Sequence, residues 1–403
     1  MNSFVKIPVA GILEFDDVGW DLGRDQRHMH RASRSGLPRY HAQEDYEMLA
    51  KFSEALGVRI PVALCLADWD KDNFLRGEVG ITHDPYGWNR AAEIDIEKFS
   101  KYRDTIDNAP CVDYCIHGLM HGVYGEDGKL ISETEYFRVD NSNGERRTYL
   151  SSLDELVRRL DLFYKIYGSW GFKKPIKSFI SPCGMDGISE EDLDIVTKEL
   201  YKRGIRYWFN GGFGFEGSMA VRNGVAIIKK RNMKTSYGDW VPWDAYDLDP
   251  LDVDLFAEQG LHGYNHAGLS AENPSCMFGM HWTNLLRFNP KRNFEDIGRW
   301  VEYMERNRAV FGFVAAKSTE EAVNQHFYRN YAKMKIADGV ISIDLSGVEE
   351  NKLDCHIDEF LISFKNDHLP TSCEGGEMSV YEEMGGFTTY KIKHSGACVK
   401  INI

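Results

Sequence analysis

The chain lacks the long apolar runs and leading basic segments that mark membrane and secreted proteins. Its longest uninterrupted apolar stretch covers residues 60–67, whereas a membrane-spanning helix needs about 20 such residues. The sequence does not open with a basic stretch followed by a long apolar one, so we expect no signal peptide and a cytoplasmic protein. A Gly-rich dinucleotide fingerprint and a phosphate-binding loop are also missing, which disfavours a nucleotide-binding sheet.

Positive charge is scarce as well. The chain has 48 Lys and Arg against 62 Asp and Glu, a net charge of −14, which argues against a nucleic-acid or anionic-membrane partner. The basic cluster Lys229, Lys230, Arg231 and Lys234 is typical of a solvated strand end. None of the eight cysteines belongs to a C-x-x-C pair, so we predict no zinc ribbon or redox motif and expect most of them to be buried, reduced thiols.

Strand-like and helix-like segments alternate through the first 330 residues. The hydrophobic patterns predict helices over residues 43–56, 94–106, 153–167, 189–202, 294–307 and 318–333. They predict strands over residues 7–15, 59–66, 111–116, 176–180, 205–209, 224–228 and 310–315. This alternation favours an α/β fold with a parallel sheet covered by helices, closed or nearly closed into a barrel. In such barrels the chemistry lies at the C-terminal ends of the strands.

The C-terminal part of the chain has a different character. From residue 336 onward it contains 12 Asp and Glu against 5 Lys and Arg, and its short β-rich runs are separated by Gly, Asn and Asp. We therefore predict a barrel domain over residues 1–334 and a small acidic antiparallel β domain over residues 335–403. The sequence leaves open whether this second unit packs on the barrel, contacts a glycan or builds a homo-oligomer.

Two carboxylates end the first predicted strand. Because alternate residues of a strand share a face, Glu14 and Asp16 should both point into the barrel, and Asp17 should lie where the strand breaks. Adjacent carboxylates are costly to bury unless a positive group compensates them. A metal ion would do so, and a solvated turn is the alternative.

Two histidines follow the third predicted strand. His117 should be the last inward-facing residue of that strand, and His121 comes four residues later, on the same side if the turn is helical. Two imidazoles and one carboxylate form a catalytic metal site with open positions for water and substrate. Cys111 and Cys115 lie deeper on the same strand and are interpreted as core residues.

Phe15-Asp16-Asp17 followed by His117-x-x-x-His121 resembles the metal-dependent polysaccharide deacetylases (NodB-like, carbohydrate esterase family four). The resemblance implies a distorted (β/α) barrel of seven or eight strands. It also implies that Asp17, His117 and His121 bind a divalent metal, with Zn²⁺ expected first and Co²⁺ or Ni²⁺ as alternatives, and that Asp16 is the catalytic base.

The later motifs of that family are altered here. In its Arg-x-Pro-aromatic-Gly motif, the Arg position is Ile180 and the aromatic position is Cys183, so the role of that Arg in orienting the base is either missing here or passed to another cation. The family's Leu-x-His motif supplies a catalytic acid. Its nearest match gives His281 as the acid, with His262 and His266 as competitors.

These residues predict metal-dependent removal of an N-acetyl group from an N-acetylated sugar, a glycan precursor or another small amide. A backbone N–H near Val123 and Tyr124 should stabilise the oxyanion. Aromatic side chains expected to stack on the sugar are Trp20, Tyr124, Trp240, Trp243 and Trp282. The alternatives are a glycoside hydrolase using Asp16 and Asp244, and a catalytically degenerate carbohydrate-binding barrel.

Overall fold

The structure of the chain is a computed structural model that describes residues 4–20, 39–232 and 275–403, apart from positions 288, 296 and 312. Its strands are β1 (Val5–Lys6), β2 (Ala10–Val18), β3 (Ile60–Cys65), β4 (Val112–Gly118), β5 (Val123–Tyr124), β6 (Leu130–Ser132), β7 (Phe137–Asp140), β8 (Arg147–Leu150), β9 (Ile176–Ile180), β10 (Tyr207–Asn210), β11 (Met219–Arg222), β12 (Val225–Lys229), β13 (Arg231–Asn232), β14 (Met277–His281), β15 (Val314–Ala315), β16 (Lys333–Ala337), β17 (Val340–Asp344), β18 (Glu359–Lys365), β19 (Ser372–Glu374), β20 (Gly376–Met384), β21 (Phe387–His394) and β22 (Cys398–Asn402). Its α-helices are α1 (Gln43–Leu56), α2 (Ile96–Asn108), α3 (Leu153–Trp170), α4 (Glu190–Lys202), α5 (Ile297–Phe311), α6 (Thr319–Tyr331) and α7 (Ser346–Asn351).

The central sheet is a curled half-barrel of eight parallel strands in the order β12-β10-β9-β4-β3-β2-β14-β13. Strand β11 adds to β12 in the antiparallel direction, and β15 pairs with β2. Only Lys230 separates β12 from β13. The chain therefore pairs first with β10 and then, one residue later, with β14, which brings the two ends of the sheet together at Lys230.

Successive side chains of each strand point to opposite faces of this sheet. On β4, Val112, Tyr114 and Ile116 pack in the cluster formed with the surrounding helices, whereas Cys115 belongs to the cluster inside the curled sheet. A strand buried on both faces reads as a nearly continuous apolar run. Helices cover the outer face of the sheet, in agreement with the alternation of strands and helices predicted from the sequence.

Several boundaries match the sequence prediction, and others differ. Helix α1 and strand β9 have the predicted bounds, whereas α5 continues to Phe311 and leaves only Val314–Ala315 of the last predicted strand. The hairpins β5–β6 and β7–β8 and the strand β14 were not predicted. The segment 123–150 is rich in Gly, Asn and charged residues, and this composition hides the hydrophobic pattern from which short strands are predicted.

The C-terminal strands form two four-stranded antiparallel sheets, in the orders β1-β18-β21-β20 and β16-β17-β22-β19. The antiparallel strands expected there are present. Strand β1 from the other end of the chain joins the first of these sheets through β18, and the boundary at residue 335 stays a prediction. Within the part of the chain that the structure describes, no helix has the length and apolar character needed to traverse a lipid bilayer.

Candidate active site

The predicted site residues meet where the parallel strands end. The register places His281 of β14 opposite Asp16 of β2, and His117 lies next to the end of β4. Asp16, His117, His121 and His281 all line one cavity of about 550 Å³, together with Lys230. The side chains that the sequence analysis assigned to metal binding and proton transfer are therefore neighbours in the structure.

Asp17 is the centre of this group. Its Oδ1 lies 3.3 Å from His117 Nε2 and 3.8 Å from His121 Nε2, and its Oδ2 lies 3.9 Å from His281 Nε2. Asp17 is 1% exposed, and His117 and His121 are also buried. A buried carboxylate with several imidazole nitrogens around it has the donor set that zinc and other late first-row ions prefer.

The tautomer of His117 fits a metal ligand. Its Nδ1 lies 2.7 Å from the carbonyl oxygen of Ile180, to which only an N–H can donate. In the neutral ring Nε2 then carries a lone pair and faces Asp17 Oδ1, so two acceptors oppose each other across 3.3 Å. Among the described residues, neither His117 Nε2 nor Asp17 Oδ2 has a hydrogen-bond partner. A cation between the two groups would satisfy both of them.

The same electrostatics raise the pKa of His117. Burial lowers the pKa of this imidazole, but the neighbouring Asp17 and Asp16 carboxylates outweigh burial and leave it raised. The two carboxylates thus favour a positive charge beside them, which either a protonated His117 or a metal ion would supply.

Two of these residues have a left-handed backbone. Asp17 has a φ of 67° and His121 a φ of 52°, a region that non-glycine residues seldom occupy. The pairing of β2 with β3 shifts register between Phe15 and Val18, so Asp17 lies in a β-bulge. The turn from His117 to His121 is not helical, which corrects the sequence expectation. The bulge and the turn, instead of a helix, bring the two side chains together.

Glu135 holds the turn that carries His121. Its Oε1 accepts a hydrogen bond from Leu119 N and its Oε2 accepts one from His121 N, both at 2.8 Å. Arg159 Nη1 lies 3.6 Å from Glu135 Oε1, and both side chains are 0% exposed. A Cβ on Gly118 would lie 2.3 Å from Glu135 Oε2. The sequence analysis missed Glu135, because its position depends on the unpredicted hairpins.

Lys230 is the cation beside Asp16. Its Nζ lies 2.5 Å from Asp16 Oδ2 and 2.7 Å from Glu14 Oε2. Burial would raise the pKa of Asp16, but Lys230 outweighs burial and holds it well below its usual range. Burial and the Asp16 charge raise the pKa of Glu14. Lys230 is 6% exposed, so its interpretation as part of a solvated strand end was wrong.

The three predicted aromatic residues that the structure describes do not offer stacking surfaces in the cavity as the sequence analysis expected. Trp20, Tyr124 and Trp282 are 1%, 2% and 0% exposed, so none of them offers a ring face to a sugar. Trp20 instead stacks on the ring of His121, with 5.5 Å between the ring centroids. The N–H of Tyr124 donates to the carbonyl oxygen of Gly80 at 3.1 Å, so it is already engaged and does not serve the oxyanion.

Several other predicted residues lie outside the described ones. They are Trp240, Trp243, Asp244, His262 and His266.

Comparison with known proteins supports the fold. No family model matches the chain. No curated protein matches it in sequence. Among solved structures, the carbohydrate deacetylase Agd3 superposes with a TM-score of 0.51 at 11% identity, over 98% of this chain and 65% of that one. The chain thus spans slightly less than two thirds of the length of Agd3.

Two weaker structural similarities involve carbohydrate enzymes. A family 4 carbohydrate esterase from Streptomyces lividans, in complex with acetate, gives a TM-score of 0.32 at 9% identity, over 76% of this chain and 92% of that one. A protein from Parabacteroides distasonis, provisionally described as a glycoside hydrolase/deacetylase, gives 0.42 at 11% identity, over 89% and 79%. These two scores are too low to carry an argument. The similarity to Agd3 establishes that the chain is similar in fold to a carbohydrate deacetylase.

Proposed function

We propose that this protein is a metal-dependent hydrolase that removes an N-acetyl group from an N-acetylated sugar or glycan. The observation that carries the proposal is the convergence of buried donors on Asp17 Oδ1, which His117 Nε2 and His121 Nε2 approach at 3.3 and 3.8 Å. The fold similarity to the carbohydrate deacetylase Agd3 supports the same reaction class. Asp17, His117 and His121 would hold the ion.

A divalent ion held by these residues supplies Lewis acidity toward the acetyl carbonyl and makes a water molecule more acidic. Asp16 is the general base in this proposal, because it lines the cavity and Lys230 keeps it ionised. Lys230 also orients the Asp16 carboxylate through its contact with Oδ2. The proton of the attacking water therefore has an acceptor beside the ion.

His281 is the general acid that protonates the leaving amine. It reaches the cavity from β14 and approaches Oδ2 of Asp17, whereas His117 approaches Oδ1. Around it the cavity wall is polar and carries Glu133, Arg146, Asp186 and Asn210. Such walls can hydrogen-bond to the hydroxyl groups of a carbohydrate, which fits a sugar better than an apolar substrate.

The test measures acetate release from N-acetylhexosamine oligomers. The purified protein should lose activity after treatment with a chelator and regain it with Zn²⁺ or Co²⁺. The variants Asp17→Asn and His117→Ala should lose activity at least about 100-fold. Asp113→Asn is the matched control, because Asp113 is a carboxylate on the same strand as His117 but pairs with Arg59.

Two results would count against the proposal. Acetate release that survives metal removal, or full activity in Asp17→Asn, would exclude metal-dependent hydrolysis. Glycan binding without turnover under any metal would favour a carbohydrate-binding barrel instead.

A further inference from the structure

Cys65, the last residue of β3, lies against the candidate metal ligands. Its Sγ is 4.0 Å from Asp17 Oδ1, the same oxygen that His117 Nε2 and His121 Nε2 approach at 3.3 and 3.8 Å. Asp17, Cys65 and His117 each offer a ligand atom, and these atoms lie within 4.8 Å of one another. Nitrogen and sulfur donors thus surround one carboxylate oxygen.

These distances fit the first shell of a metal ion. Zinc bonds of about 2.0–2.1 Å to nitrogen or oxygen and about 2.3 Å to sulfur place neighbouring donors of a tetrahedral site roughly 3.3–3.7 Å apart. From Asp17 Oδ1, His117 Nε2 at 3.3 Å and Cys65 Sγ at 4.0 Å come near these values. His121 Nε2 approaches the same oxygen at 3.8 Å but does not belong to the group of ligand atoms that all lie within 4.8 Å of one another. The residues are also 0–3% exposed, so the ion would replace little bulk water.

The thiol reaches this position because of the strand register. The pairing of β3 with β4 shifts between Leu64 and Cys65, which places Cys65 opposite Gly118. Cys65 shares the inward face with Ala63, which belongs to the interior cluster. The cysteine is therefore part of the end of the sheet where Asp17 and His117 meet.

We propose that Cys65 is a ligand of the same ion as Asp17, His117 and His121. This inference rests on the proposed function and deepens it by naming the class of metal. As the metal–sulfur bond forms, the thiol proton is released to solvent. A thiolate selects Zn²⁺ and Co²⁺ over Mg²⁺, Mn²⁺ and Ca²⁺, which prefer oxygen ligands. With four protein ligands, a single water molecule or substrate oxygen at a time would take a fifth position, to which zinc can expand.

The experiment records the absorption spectrum of the full chain after its native metal is replaced by Co²⁺. We expect visible cobalt bands together with a near-ultraviolet band from sulfur-to-cobalt charge transfer. Cys65→Ser should keep the visible bands and lose the charge-transfer band, and its affinity for Zn²⁺ should fall at least about 100-fold, because even an outer partner of a ligand contributes 10–100-fold.

Cys115→Ser is the matched control. Cys115 lies inward on the neighbouring strand β4, is buried, and is not among the clustered ligands. Its spectrum should equal that of the unmodified chain. X-ray absorption of the zinc-loaded chain gives a second readout that needs no variant, and it should detect one sulfur at about 2.3 Å.

The possible failures are distinguishable. Visible cobalt bands without charge transfer in the unmodified chain, or a zinc shell without sulfur, would overturn the role of Cys65 and leave the metal centre intact. No cobalt binding at all would overturn the metal centre and the proposed function with it.

Discussion

Replacing Glu135 with glutamine should weaken metal binding without touching a proposed ligand. In the structure Glu135 accepts hydrogen bonds from Leu119 N and His121 N at 2.8 Å each and lies beside Arg159. Glutamine has nearly the same shape, but its NH₂ group would face one of these N–H donors. The turn that sets the left-handed conformation of His121 would therefore lose one hydrogen bond and the negative charge that strengthens the other.

The size of the effect follows from these contacts. A hydrogen bond to a charged group contributes about 1.5–3 kcal/mol, and removing one partner of a buried ion pair costs about 3–5 kcal/mol. Arg159 keeps Glu155 at 2.6 Å and the carbonyl oxygen of Gly80, so the lower end applies. We expect the free energy of unfolding to fall by about 3 kcal/mol and the metal affinity to fall by about 10–100-fold.

Urea unfolding and competition with a zinc chelator measure the two quantities. Glu155→Gln is the matched control, because Glu155 also pairs with Arg159 but does not contact the turn. It should lower stability by about 1–2 kcal/mol and leave metal affinity unchanged. If Glu135→Gln and Glu155→Gln bind Zn²⁺ equally well, Glu135 does not position His121 and the reasoning fails.

Three further predictions concern the same structure. Lys230→Met should lower kcat for acetate release at least about 100-fold and leave the cobalt spectrum unchanged. Lys230→Arg keeps the positive charge and should retain more activity. Equal loss of activity in the two variants would contradict the role of the Lys230 cation. Gly118→Ala should lower the free energy of unfolding by about 1–3 kcal/mol in urea titrations, because the added Cβ meets Glu135 at 2.3 Å; unchanged stability would contradict this. Burial lowers the pKa of His326 to about 3, whereas the ordinary pKa of histidine is about 6.5. Between these two pH values the unfolded chain binds a proton at this residue and the folded chain does not, so the free energy of unfolding decreases as the pH falls. Between pH 7 and pH 4 this loss should reach about 3 kcal/mol, and His326→Gln should remove that part of the pH dependence of unfolding.

The sequence predicted the parts of the fold and site that depend on local pattern. Helix α1 has its predicted bounds because its apolar spacing ends at Gly57, which adopts the left-handed C-cap. Asp17 and His117 lie together because the C-terminal ends of parallel strands meet at one edge of the sheet. These inferences need only the order of strands and helices and the side-chain alternation.

The remaining parts depend on contacts between distant segments. Lys230 pairs with Glu14 across 216 positions of sequence, and its burial requires the chain to cross from β10 to β14 at that residue. Cys65 ends a buried apolar strand and cannot be told from a core residue by pattern. Trp20 and Trp282 are equally suited by type to a core and to a sugar-binding surface, and only packing decides between these.

The most direct test of the metal centre is anomalous X-ray diffraction at the zinc edge from crystals of the zinc-loaded protein. The account predicts one strong peak within about 2.0–2.3 Å of Asp17 Oδ1 and His117 Nε2, with His121 in the same shell. Direct hydrogen bonding between Asp17 and the histidines, with no anomalous peak among them, would contradict the account.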